Sequence, residues 1–163
     1  MSKRNVDIKK TIRPKRTRIM VFGTFDGLHW GHINFFKQAR DLAEHCFLIA
    51  SVARDENVFK IKGRYPTWNE KERVVLVKKS RLADQVILSG LRNHLPHIAK
   101  IRPNIIALGY DQQAYVQNLK KDLKNKGILV KTIRLKPYKE RIYKNHLLLH
   151  AKCRSASGGK NKK

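Results

Sequence analysis

Cysteine is scarce: the 163 residues hold two, Cys46 inside an apolar run and Cys153 in a basic tail. Neither a disulfide framework nor a metal-ligand spacing can be built from that pair, so both are expected as reduced thiols. Long apolar stretches are missing too. No run approaches the roughly 18 to 20 residues that span a bilayer, and the opening MSKRNVDIKK lacks the apolar centre of a secretory signal. A cytoplasmic protein with no membrane partner is the expectation. Acidic residues are the third shortage, with 12 Asp and Glu against 37 Lys and Arg and a net charge of +25.

That charge is uneven. Residues 1–18 carry +7 and residues 150–163 carry +5, which leaves +13 for the body. A basic body with basic ends attracts polyanions: nucleic acid, anionic lipid or a phosphorylated small substrate. The plainer reading, a solvated and solubilising surface, weighs against specific nucleic-acid binding. Hydrophobic residues make up 41% of the chain, enough for a core, and the length suits one domain.

Residues 1–16 show no apolar periodicity and residues 151–163 are small, polar and basic, so both read as flexible tails around a domain at 17–150. Within it, short apolar runs alternate with amphipathic ones. Strands are expected at 18–23, 46–52, QVILSG, 104–109 and ILVKTIRL. Helices are expected over GHINFFKQARDLAEH, from about Asn69, at LPHIAKI, over QQAYVQNLKKDLKNKG with Gly127 as its stop, and over IYKNHLLLHAK, while 53–68 reads as a basic loop. The pattern predicts an α/β fold: a Rossmann-like three-layer sandwich on a mostly parallel five-stranded sheet. Ligands of such sheets sit beyond the carboxyl ends of the strands, so the residues after Phe22, Val52 and Leu108 are the ones to question.

After the first strand the chain runs Gly23, Thr24, Phe25, Asp26, Gly27, Leu28, His29, Trp30, Gly31, His32 and then turns helical. Glycine lets a phosphate approach the backbone, a helix start offers unpaired N–H groups, and His29 and His32 can face one anion from a single turn. A phosphate clamp fits best. Two histidines and one carboxylate make a poor transition-metal set, so no metal ligand is assigned among the side chains. Histidines that merely cap a turn are the remaining reading.

GTFDGLHWGH resembles the signature of the cytidylyltransferase-like nucleotidyltransferases, whose common element is HxGH after the first strand. The resemblance implies that His29 and His32 contact nucleotide phosphates during catalysis, that Gly23, Thr24, Phe25, Trp30 and Gly31 shape the nucleotide site, and that Asp26 serves the phosphate or acceptor. ARDENVFKIKGRYPTWNEKER is similar to archaeal-type FAD synthases and glycerol-3-phosphate cytidylyltransferases, where lysines and an arginine engage the triphosphate and the incoming phosphate. The matching positions are Lys60, Lys62, Arg64 and Arg73, with Lys62 grouped with the catalytic histidines. GYDQ, residues 109–112, looks like FAD synthase in particular and implies that Gly109 and Asp111 lie under the nucleotide; Tyr138 falls where relatives contact it. At the last helix, where relatives carry hydroxyls for the triphosphate, this chain has Lys144, Asn145 and His146.

The resemblance implies a nucleotidyltransferase that uses magnesium carried by the triphosphate, with ATP and FMN as substrates and FAD and pyrophosphate as products. It also implies a homodimer. A CTP-dependent enzyme acting on a phosphorylated alcohol is the alternative within the class. A nucleic-acid-binding protein on the same fold is the alternative outside it, and the basic tails suit non-specific contact with nucleic acid.

Overall fold

The apolar run that opens the body becomes the middle of the sheet. In a computed structural model that describes residues 15–91, 94–112 and 116–138, the strands are β1 (Thr17–Gly23), β2 (Cys46–Val52), β3 (Gln85–Leu88), β4 (Ile105–Leu108) and β5 (Lys131–Arg134). Their order is β3-β2-β1-β4-β5, and all four pairings are parallel. Helices α1 (Trp30–Arg40), α2 (Asp55–Lys62), α3 (Glu70–Ser80), α4 (Leu95–Ile101) and α5 (Val116–Asn125) connect them.

Alternation along β1 shows why both faces are covered. Ile19 and Val21 pack with Phe36 and Ala39 of α1 and Val77 of α3, whereas Met20 and Phe22 pack with Leu95 and Ile98 of α4 and Leu119 and Leu123 of α5. Successive side chains of a strand point to opposite faces, so two buried clusters on one strand require a helical layer on each side. The three-layer architecture follows from that pattern. Among the described residues no helix is long and apolar enough to cross a membrane.

Two local features depart most from expectation. The first helix ends at Arg40 rather than continuing to His45, because turns at Leu42 and Ala43 bring the chain back into β2. The stretch expected as a basic loop contains α2, which carries Asp55 and Glu56 in its first turn and Gly63 at its C-terminal end with φ 69°. Glycine takes that left-handed conformation without the strain a Cβ would add, so it ends the helix cleanly. Helix α3 starts as expected after Asn69, whose side chain accepts from the Lys71 and Glu72 N–H groups while Glu72 accepts from Asn69 N–H. The expected tails and the helix over IYKNHLLLHAK lie outside the described residues.

The chain reverses its progress across the sheet at β1, which pairs with β2 on one side and β4 on the other. That is the switch point at which parallel sheets open a crevice.

Candidate active site

A cleft of about 600 Å³ opens beyond the carboxyl ends of the strands, within the range of small-molecule sites. Its floor begins with a close fit between two residues. A Cβ on Gly23 would stand 2.6 Å from Cζ of Phe25, closer than packed atoms allow. Phe25 takes φ 51° and is buried beneath the strand end, so glycine at position 23 is what gives its ring room. The ring stacks on Phe36 at 5.0 Å and meets His32 edge-on at 5.5 Å.

His29 caps α1. Its Nδ1 accepts the Gly31 N–H at 3.1 Å, so Nδ1 cannot carry a proton and the ring's N–H must be at Nε2. One turn on, His32 stacks against it with ring centroids 3.9 Å apart. Burial, then the neighbouring His29, lowers the His32 pKa from 6.5 to about 3, while the Gly27 carbonyl pulls the other way. Before substrate binds, the His32 ring is therefore neutral, and the His29 ring holds its single proton at Nε2.

The same shift makes a stability prediction. The unfolded chain binds a proton at position 32 more readily than the folded chain between pH 6.5 and about 3, so this contribution is complete above that window and is lost as pH falls through it. Urea denaturation at pH 7.5 and pH 5 should show a smaller acid loss for His32→Asn than for the wild type. Equal losses in the two proteins would contradict the assignment.

Lys62 reaches the same loop from α2, with Nζ 3.3 Å from Thr24 Oγ1. Partial burial lowers its pKa, and Asp111 across the cleft opposes that effect. Arg64 and Lys136 line the cleft as further cations. On the far side of β1, the turn after β4 is held by Gln112, which accepts the Gly109 N–H at 3.0 Å and donates to the Phe22 carbonyl at 2.8 Å. Arg134 donates to the Gly109 and Tyr110 carbonyls and fixes the turn from outside.

The expected site residues sort by position. Gly23, Thr24, Phe25, His29, Gly31 and His32 line the cleft, as do Lys62, Arg64, Gly109, Asp111 and Tyr138. Four expectations are corrected. Trp30 is 62% exposed and outside the lining, because the first residue of α1 points away from the cleft. Lys60 is exposed on α2 and also outside the lining. Asp26 is outside the lining and is held by protein: its two oxygens accept the Thr67 and Trp68 N–H groups at 2.9 and 3.0 Å, tying the segment before α3 to the phosphate loop.

Arg73 is the largest departure. It is 0% exposed and cannot meet a phosphate. Its guanidinium donates to the carbonyls of Trp68, Thr24 and Ala53 and pairs with Asp55 at 2.6 Å, joining four segments beneath the cleft. Lys144, Asn145 and His146 lie outside the described residues.

Ser51, Asn57, Ser89, His94, Arg134 and Lys136 carried no assigned role in the sequence although they line or brace the site, and Gln112 was legible only as the last member of GYDQ. Ser51 and Ser89 stand at or just after strand ends, which was the signal available for them. Asn57 and Lys136 carried none, being polar residues in polar stretches.

Comparison with known proteins identifies the family of the chain. The cytidylyltransferase-like family model matches residues 20–155. The chain is 44% identical over 119 residues to the FAD synthase of Korarchaeum cryptofilum (strain OPF8), covering 72% of this chain and 80% of the relative. It is 41% identical over 125 residues to the FAD synthase of Methanosarcina barkeri (strain Fusaro / DSM 804), covering 76% and 86%. Among solved structures, the lipopolysaccharide core biosynthesis protein from Thermoplasma volcanium GSS1 superposes with a TM-score of 0.70 at 32% identity, over 77% of this chain and all of that one. Pantoate-beta-alanine ligase from Francisella tularensis, at 16% identity and a TM-score of 0.55 over 94% of this chain and 76% of its own, shares the fold.

Proposed function

Because the chain belongs to the cytidylyltransferase-like family and, within it, to the FAD synthases, we infer that its cleft joins ATP to FMN, releasing pyrophosphate and forming FAD. The protein is a nucleotidyltransferase, with adenylyl transfer favoured. The observation that carries the choice of FMN is the layout of the cleft. Lys62 and the two histidines stand at its centre, the turn after β4 lies on one side of β1, and an uncharged wall of Phe22, Ser51, Asn57, Ser89 and His94 lies on the other. Each substrate has a phosphate at one end and a heterocycle at the other. Phosphates that meet at the centre leave one ring for each half, whereas glycerol phosphate has no ring for the second half.

In the reaction a phosphate oxygen of FMN attacks the α-phosphorus of ATP, a new P–O bond forms, and the bond from that phosphorus to the bridging oxygen breaks with pyrophosphate as leaving group. Negative charge grows on the equatorial oxygens and on the leaving group. His29 supplies its Nε2–H to that charge, His32 supplies a neutral donor beside it, and Lys62 supplies a cation from α2. Donors fixed before the reaction need no reorganisation while it proceeds, which is where their catalytic effect arises. Preorganisation is visible in the N-cap bond of His29 and in the packing of His32 against Phe25.

Among the described residues no three His, Cys, Asp or Glu side chains converge as a metal site, and Asp111 is the carboxylate on the cleft wall. These residues fit a magnesium ion that arrives on the triphosphate with Asp111 able to share it, and such an ion would neutralise phosphate charge. The cytidylyl and nucleic-acid alternatives are not favoured. Calorimetric titration in magnesium should show ATP binding at least about tenfold more tightly than CTP, a difference of about 1.4 kcal/mol. A preference for CTP would reverse the assignment.

A further inference from the structure

The wall on the β2–β3 side of the cleft contains a hydrogen-bond pattern that fixes which atoms it can offer. Asn57, on α2, donates its side-chain NH₂ to the Gly90 carbonyl at 2.8 Å. A carbonyl can only accept, so the amide's orientation is settled: Nδ2 turns to Gly90 and Oδ1 is the acceptor Asn57 has to offer. Among the described residues Oδ1 has no hydrogen-bond partner. The neighbouring residue in the loop, Ser89, accepts the Arg54 N–H at its Oγ at 3.3 Å, which leaves its hydroxyl proton to donate. An acceptor and a donor therefore both line the β2–β3 end of the cleft, away from the β4 turn.

Among the described residues beside this wall, Arg54 is spent on Glu70 at 2.6 Å and on the Ser89 carbonyl at 3.1 Å. Burial lowers the pKa of both His94 and His97, so these rings are neutral. Phe22 meets His94 edge-on at 6.0 Å and supplies an apolar surface. A flat, uncharged heterocycle with an N–H next to a carbonyl matches this wall.

We propose that Asn57 is a specificity-determining residue for the acceptor, its Oδ1 accepting the imide N–H of the flavin ring while the Ser89 hydroxyl donates to the adjacent ring carbonyl. The inference rests on the ATP and FMN reading above. Adenine's amine and ring nitrogen offer a similar alternation, and under this proposal adenine takes the β4 turn while the flavin takes the β2–β3 wall. The flavin's phosphate then extends back toward Lys62 and the histidines. Selectivity at this end comes from hydrogen bonding, because an alkylated imide has no proton to give.

The test compares FMN with its N3-methyl derivative in the wild type and in Asn57→Ala, with pyrophosphate release as the readout. The wild type should use the methylated flavin about tenfold less efficiently, the size of one lost hydrogen bond. Asn57→Ala should lose a similar factor with FMN, should barely distinguish the two flavins, and should keep the wild-type KM for ATP. If the variant fails to fold, the wild-type comparison still decides. Equal use of both flavins by the wild type, or a raised KM for ATP with an unchanged one for FMN in the variant, would overturn the proposal. A wild type that makes pyrophosphate with ATP and some other acceptor but never with FMN would instead overturn the functional reading on which it rests.

Discussion

Replacing His32 with alanine should lower turnover by about 100- to 1000-fold, the usual cost of removing one preorganised donor from a charge-stabilising site. His29 calls for a different substitution. Its Nδ1 holds the start of α1, so alanine would remove a helix cap along with the catalytic donor and confuse the two effects. Asparagine is a good N-cap residue but has no imidazole Nε2–H. His29→Asn should therefore keep the wild-type melting temperature and still lose turnover by a factor comparable to that of His32→Ala. Steady-state kinetics beside a melting curve would decide. Near-normal turnover in either folded variant would remove the histidines from the chemistry and leave them as elements of a turn.

The second large effect is expected at a residue that never meets substrate. Arg73 is fully buried, and removing it strands three backbone carbonyls together with Oδ1 of Asp55, whose side chain is only 27% exposed and whose Oδ2 keeps the Glu70 N–H. Breaking a buried pair from one side typically costs about 3 to 5 kcal/mol, because the remaining groups lose their partners and cannot recover water. For a chain of this size that corresponds to a fall in melting temperature of roughly 6 to 20 °C. Arg73→Met should show it. Arg73→Lys should not restore stability, since one ammonium cannot reproduce a planar fork that binds acceptors on several sides. If Arg73→Met melted like the wild type but bound ATP poorly, the residue would be a phosphate ligand after all and its burial would have to yield on binding.

These two sites mark the boundary of what could be read from the sequence. Strands such as 18–23 and 46–52 were legible because a strand buried on both faces must be almost continuously apolar. The HxGH turn was legible because its histidines, glycines and position before a helix occupy one contiguous stretch. Helix α2 was not, since Val58 is its single buried residue and its charged surface has no strong apolar period. Arg73 misled for a related reason. Lysine and arginine are ordinarily exposed, and in a chain of +25 charge nothing local distinguishes an arginine that ties four segments together from one that waits for a phosphate. Asn57 and Ser89 are 32 positions apart in the chain and come together through pairing of β2 with β3 and the bond from Asn57 to Gly90. Recognition built from strand ends depends on the fold before it has any pattern of its own.

Adenylyl transfer is tested most directly by where the α-phosphorus of ATP goes. Incubated with FMN, magnesium and ATP labelled at the α-phosphorus, the protein should place the label in FAD and release unlabelled pyrophosphate in equal amount. Label recovered only as AMP, or no transfer from ATP while CTP reacts with a phosphorylated alcohol, would contradict it.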